Sequence, residues 1–142
     1  MPTVSVLYSR RNNLGSLLIR AGAWFGPWSH CSLITPQNTV IEAVTSGVRE
    51  VPVLWALDHY PHLEVVTIEV QDPERAYAFA RAQLGKPYDW GAIAGFITRR
   101  NWQDDQRWEC TELVEASLIA AGRVRWRERV YRIHPTLSYN AR

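Results

Sequence analysis

"PWSHCSLITPQNTVIEAV", residues Pro27 to Val44, is the stretch on which the fold turns, because it alternates with period two on both sides of a turn signal. The runs His30 to Thr35 and Thr39 to Val44 flank "PQN" and predict an antiparallel hairpin. A three-residue loop centred on Gln37 puts Ser32 opposite Glu42, with His30 on the diagonal. A tighter turn centred on Pro36 puts His30 directly opposite Glu42. In both registers His30 and Glu42 share one face, with Cβ atoms about 5 to 8 Å apart, whereas a one-residue slip would part them. Cys31 points to the opposite face and reads as core.

Outward from the hairpin, Val4 to Tyr8 predicts a strand, and Leu14 to about Phe25 a helix with Leu14, Leu17, Leu18 and Ala21 on one face, stopped by Gly26 and Pro27. A third strand is expected at Val48 to Val53 and a strong one at "LEVVTIEV", Leu63 to Val70. "DPERAYAFARAQLG" then predicts a helix with Asp72 as N-cap, Pro73 at its first position and Gly85 as its stop. "YDWGAIAGFI" reads as another helix, "TRRNWQDDQR" as a solvated polar connection and "ECTELVEASLIAAG" as a fourth helix. The stretch Arg123 to Arg132 alternates basic and apolar residues as an exposed strand would. Strands and helices mix without a regular βαβ order, so the class is α+β, and residues 1–142 read as a single domain.

Composition narrows the function. The chain has 142 residues, 46% of them hydrophobic, and a net charge of only +2, which gives no reason to expect a nucleic-acid partner. Its two cysteines lie far apart, match no zinc spacing and make a poor disulfide framework, so reduced thiols are expected, with no metal and no cofactor. No signal peptide is visible and no run approaches the roughly 20 apolar residues of a membrane span. The expectation is a soluble protein made in the cytoplasm.

Cys110 opens the fourth helix, in which Cys110, Leu113, Val114, Ser117, Leu118 and Ala121 form one core-facing stripe and Glu112 and Glu115 fall outside it. A cysteine in the first turn sits beside free N–H groups and the positive end of the helix dipole, where thiol pKa values of about 3.5 to 7.5 occur. Glu109 and Glu112 work against that. Taken singly, Cys110 reads as a small buried hydrophobe, His30 as a core histidine and Glu42 as a strand carboxylate. A thiol nucleophile needs a base in reach and the base needs an orienting partner, and the shared face of His30 and Glu42 supplies both.

"SHCSLI", "VIEA", "GKPYDW", "ECTELV" and the closing "HPTLSY" together resemble the circularly permuted branch of the NlpC-like papain-fold hydrolases, of the YiiX and lecithin retinol acyltransferase type. Order carries the resemblance: ordinary papain-like enzymes run cysteine before histidine, and here the order is His30, Glu42, Cys110. It implies a small antiparallel sheet packed against the nucleophile helix, with Cys110 as nucleophile, His30 as general base and then acid, and Glu42 orienting the imidazole. Glu42 departs from the Asn, Asp or second His of many thiol triads, although a carboxylate still accepts from the ring N–H. The implied activity is an amidase, peptidase or acyltransferase acting on a cell-wall peptide or an acylated lipid. A catalytically idle groove that binds peptide or lipid is the alternative.

Around these residues, Trp28 and Trp108 are candidate cleft walls, and Tyr8 and Tyr88 candidate phenol donors to an oxyanion already offered the Cys110 N–H. His59, His62 and His134 have no motif context. Arg123, Arg125, Arg127 and Arg129 share strand parity, giving a basic edge that guards against edge pairing or attracts an anionic partner.

Overall fold

The computed structural model describes residues 1–10, 27–89, 107–126 and 135–141. Strands β1 (Thr3–Arg10), β2 (His30–Ile34), β3 (Thr39–Val44), β4 (Gly47–Pro52) and β5 (His62–Glu69) form one antiparallel sheet in the order β4-β3-β2-β1-β5. Among the described residues four helices accompany it: α1 (Val53–His59), α2 (Pro73–Ala82), α3 (Cys110–Ala120) and α4 (Pro135–Asn140). The α+β class follows the alternation read in the sequence. The helix expected from Leu14 to Phe25 and most of the "TRRNWQDDQR" connection lie outside the described residues; so does the helix expected over Tyr88 to Ile97 from Trp90 onward, while its first two residues, Tyr88 and Asp89, are not helical.

The β2–β3 hairpin takes the longer-loop register, with Leu33 opposite Ile41 and Ile34 opposite Val40. Asn38 makes this possible. It adopts φ 58°, the left-handed conformation that a three-residue hairpin loop needs near its end, and Asn tolerates it. Thr35 N–H then bonds Thr39 O at 2.8 Å and Asn38 N–H bonds Thr35 O at 3.2 Å.

Both sheet faces are covered where the strands converge. On one, Val6, Tyr8, Cys31, Leu33, Ile41 and Val66 pack with Ala76 and Ala80 of α2 and Leu113, Val114 and Leu118 of α3. On the other, Leu7 and Val40 pack with Ala56 of α1 and Tyr60 just beyond it. The α1 helix replaces the end of the strand expected to run to Val53. It is seven residues long, its N-cap Pro52 makes no side-chain capping bond, and burial of Ala56 holds it to the sheet.

Asp72 caps α2 as expected, accepting from Glu74 N–H at 3.1 Å, and Gly85 at φ 83° ends the segment. The chain after α2 runs along β4: Val48 N–H bonds Lys86 O and Gly85 N–H bonds Val48 O, both at 2.9 Å. Gly47 permits that approach, since a Cβ there would lie 2.7 Å from Lys86 O. Trp108 then bridges in parallel to Tyr88, with Trp108 N–H to Pro87 O and Asp89 N–H to Trp108 O, both at 3.0 Å. The "GKPYD" segment thus fixes the approach to the first residue of α3.

Helix α3 is buried on nearly all sides, including Glu112 and Glu115, which sequence periodicity had placed outside the core stripe. Each carboxylate is compensated. Glu115 pairs with Arg125 and accepts from Ser138 Oγ at 2.7 Å, while Glu112 accepts from the Glu109 N–H at 3.2 Å. This corrects the reading of a basic edge: Arg125 is buried against Glu115 and the α4 carbonyls, residues 123–126 form no strand, and Arg127 and Arg129 lie outside the described residues. Arg123 alone of the four is seen exposed. Among the described residues, no helix is long and apolar enough to cross a membrane.

Candidate active site

Glu42, in the middle of β3, is wholly buried, and four hydrogen bonds converge on it. Oε2 accepts from His30 Nε2 and from Tyr60 Oη, each at 2.7 Å. Oε1 accepts from Arg49 Nε at 2.9 Å and Arg49 Nη2 at 2.7 Å. Each donor has a local cause. Arg49 faces Glu42 across the β3–β4 pair, and its guanidinium lies 4.3 Å from the Trp55 ring centroid. Tyr60 is the C-cap residue of α1, whose backbone N–H bonds Ala56 O at 3.0 Å. Burial raises the Glu42 pKa, but the bonds and charge from His30, then Tyr60 and Arg49, outweigh it and bring the carboxyl down to about 2.

His30 opens β2 with its side chain 16% exposed. Burial lowers its pKa, yet hydrogen bonding to Cys110 and Glu42, reinforced by their charges, raises the imidazole to about 10. With Nε2 committed to Glu42, Nδ1 is the nitrogen left for the thiol. The ring also lies 5.4 Å from that of Tyr60.

Cys110 is the first residue of α3 and 1% exposed. Its N-cap, Glu109, closes a capping box: Oε2 accepts from Thr111 N–H at 3.0 Å and Glu112 N–H at 3.2 Å, and Glu112 answers at the Glu109 N–H. The other Glu109 oxygen accepts the Cys110 thiol, Sγ to Oε1, at 2.7 Å. Burial pushes the Cys110 thiol well above its ordinary pKa, Cys31 pushes it further, and His30 pulls it back. Burial and the neighbouring thiol likewise push the Glu109 carboxyl up. The lowering expected from the helix start is therefore overridden, because desolvation of a fully enclosed sulfur exceeds the effect of the helix dipole.

His30 and Glu42, from two strands, are thus joined by a hydrogen bond, and Cys110, from a helix start, is near enough to the imidazole for each to shift the other's pKa. Cys31 also lies nearer than sequence parity implied. It does face away from His30, but onto the face that α3 covers, with its Sγ 3.9 Å from Thr111 Oγ1.

The aromatic candidates separate. Tyr8, offered by the sequence as a phenol donor to the oxyanion, is fully buried, and its hydroxyl bonds Ser138 Oγ at 2.8 Å within the core. Trp28 packs on Tyr139 at 5.4 Å and on Tyr8 at 6.5 Å between ring centroids. Trp108 lies edge-on to Phe79 at 5.8 Å and donates Nε1–H to Gln83 at 3.1 Å. Tyr88 is buried beside the thiol, and burial, then the charges of Cys110 and Glu109, raises its phenol well above the ordinary value. His59 stacks on Trp55 at 4.0 Å and bonds its carbonyl oxygen at 2.7 Å, a structural role; His62 is exposed on β5, and His134 lies outside the described residues.

Sequence reasoning missed Arg49 and Tyr60, and it read Glu109 only as a charge opposing the thiolate, not as the cap of α3. The strand alternation could have found Arg49, which falls on the face of Glu42 once the β3–β4 turn is counted. Tyr60 follows a helix the sequence did not signal, and Glu109 is not among the side chains that usually cap a helix.

No protein-family model matches this sequence, and no curated protein matches it. Among solved structures it is similar to a crystal structure described as metalloprotein yiiX from Escherichia coli O157:H7, DUF1105, with a TM-score of 0.64 at 22% identity. The alignment covers 84% of this chain and 65% of that one, so the chain spans a little less than two thirds of its neighbour's length. At that identity the likeness establishes the fold, a YiiX-like α+β arrangement around an antiparallel sheet.

Proposed function

We propose that this chain is a cysteine-dependent hydrolase or acyltransferase of the permuted NlpC-like papain type, acting on an amide or ester of a cell-wall peptide or an acylated lipid. The observation that carries this reading is the 2.7 Å hydrogen bond from His30 to buried Glu42, on an imidazole whose pKa the Cys110 thiol helps to raise. Cys110 Sγ attacks the carbonyl carbon. Its proton leaves to Glu109 Oε1, which already accepts the thiol at 2.7 Å, while the charged imidazole of His30 steadies the thiolate. Protonated His30 then donates to the departing amine or alkoxide, a role suited to an imidazole held on its proton by Glu42. The thioester is released by water, or by an alcohol or amine acceptor, with His30 now taking the proton. Thr111 and Glu112 N–H are occupied by Glu109, which makes the Cys110 N–H the helix-start donor for the oxyanion.

The yiiX structure is described as a metalloprotein. Among the described residues of this chain, no group of three or more His, Cys, Asp or Glu could hold a metal ion, and the proposed chemistry routes no step through one.

A second reading, an idle module that binds peptide or lipid, is favoured by one fact: Cys110 is almost enclosed and burial keeps its thiol protonated. Activity-based labelling across cell-wall peptides and lipid esters decides between them. Turnover that disappears in both Cys110→Ser and His30→Ala supports the enzyme; binding without turnover supports the module.

A further inference from the structure

Cys31 is a buried nucleophile that the proposed chemistry does not use. It and Cys110 are the two cysteines of the chain, both are free, and both are buried. Far apart in sequence, they converge because alternation along β2 turns Cys31 onto the face that α3 covers, and α3 begins at Cys110. Both sulfurs lie 3.9 Å from one atom, the Thr111 hydroxyl oxygen. We propose that Cys31 and Cys110 form a redox pair, in which a small peroxide oxidises Cys110 and Cys31 captures it as an intramolecular disulfide that a dithiol reverses.

The chemistry balances without a metal. Cys110 Sγ attacks one peroxide oxygen, the O–O bond breaks, and the thiol proton goes to the departing oxygen, giving Cys110–SOH and water or an alcohol. The sulfur is oxidised by two electrons and the peroxide is reduced by two. Cys31 Sγ then attacks the Cys110 sulfur, an S–S bond forms, and the hydroxyl leaves as water with the Cys31 proton. An external dithiol returns two electrons and two protons and restores both thiols. His30, which lowers the Cys110 pKa, and Glu109, which accepts from the same thiol, sit at the first step. Cys31 serves the second step alone. Oxidation would silence the nucleophile reversibly and divert it from sulfinic acid, which thiols do not reduce.

The test uses the full chain with hydrogen peroxide as probe, followed by dithiothreitol. Readouts are intact mass, non-reducing peptide mapping and iodoacetamide labelling of Cys110, none of which needs an enzymatic substrate, so failure of the hydrolase reading leaves the test intact. Wild-type protein should lose both thiol hydrogens, yield a Cys31–Cys110 cross-linked peptide in the monomer fraction, and regain nearly all of its labelling on reduction. Cys31→Ser, and Cys31→Ala as a second variant should the serine unfold the core, should label at least as fast as wild type before oxidation, since Cys31 raises the Cys110 pKa. After peroxide either should gain oxygen on Cys110 and recover less than about one tenth of its labelling. Wild-type protein that gains oxygen as the Cys31 variants do, or keeps both thiols under peroxide that oxidises the Cys31 variants, would overturn the pair.

Discussion

His30 Nε2 lies 2.7 Å from Glu42 Oε2 although the two residues sit on different strands and are not directly opposed. The diagonal arises because the loop through Gln37 and Asn38 sets the register. Glu42 is thereby placed to fix which ring nitrogen faces the thiol. Replacing it should slow the proposed chemistry without abolishing it, since it joins no bond to substrate. Glu42→Gln keeps an oxygen for the ring N–H and loses the charge. In serine triads loss of that charge costs about four orders of magnitude, and a thiol site should lose less. Turnover should therefore fall in the order wild type, Glu42→Gln, Glu42→Ala, Cys110→Ser. A Glu42→Ala protein turning over at the wild-type rate would reduce Glu42 to a strand residue.

Tyr60→Phe tests the support behind that carboxylate. The phenol donates to the same oxygen as His30 does. A hydrogen bond to a buried charge contributes about 1.5–3 kcal/mol, and its loss should weaken the hold on the imidazole and cut turnover by roughly tenfold. KM should stay near the wild-type value, because Tyr60 acts through Glu42. A change confined to KM would place Tyr60 on the substrate instead.

Much of this site was legible in the sequence, and the residues show why. Period-two alternation decides which side chains share a face, so it pairs His30 with Glu42 in either hairpin register. Their register stayed open because it depends on one left-handed residue, Asn38, which tolerates that conformation without demanding it. Helix α1 carried no capping signal and is held by packing of Ala56. Arg125 read as an exposed strand residue because no local pattern announces a partner on α3. The Cys110 thiol was misjudged for the same reason, since the helix dipole is a local effect and desolvation depends on everything packed around the sulfur.

Alkylation of Cys110 should therefore be slow at neutral pH and rise into the alkaline range, in contrast to an activated thiol. His30 lowers the thiol pKa, so His30→Ala should move the alkylation profile further toward alkali. Glu109→Gln replaces a carboxylate acceptor with a weaker neutral one and removes a buried charge, so it should move the profile the other way. Rates of iodoacetamide labelling against pH measure both shifts. If both variants moved the profile in the same direction, the thiol would not be balanced between His30 and Glu109.

The buried pair between Arg125 and Glu115 should matter for stability and not for chemistry. It ties α3 to α4 through Ser138 Oγ, which bonds both Glu115 and the Tyr8 hydroxyl. Removing one partner leaves a buried charge uncompensated, at a cost of about 3–5 kcal/mol. Arg125→Met should lower Tm by on the order of 10 °C. Arg125→Met combined with Glu115→Leu should recover much of that loss, because the unpaired carboxylate is gone. A double variant as unstable as the sum of the two single ones would argue against direct pairing.

The His30–Glu42 pair should give the fold two separate pH limbs. Glu42 has its pKa lowered from 4.5 to about 2, so its contribution is present above 4.5 and is lost as pH falls toward 2. His30 has its pKa raised from 6.5 to about 10, so its contribution is present in full below 6.5 and is lost as pH rises through 10. Between 4.5 and 6.5 both contributions are complete. On the alkaline limb the loss of the His30 proton leaves buried Glu42 with Tyr60 and Arg49 as its donors, and the attraction that raised the imidazole disappears. His30→Ala removes the titrating ring, so its stability should be lower at pH 6 yet nearly flat from pH 7 to 10, where wild type declines. Glu42→Gln should flatten the acid limb and, having removed the carboxylate that holds the imidazolium, shrink the alkaline one as well. Thermal midpoints across pH 3 to 10 for the three proteins make the comparison. Parallel alkaline declines in wild type and His30→Ala would show that some other group titrates there, and that the imidazole is not held on its proton by Glu42.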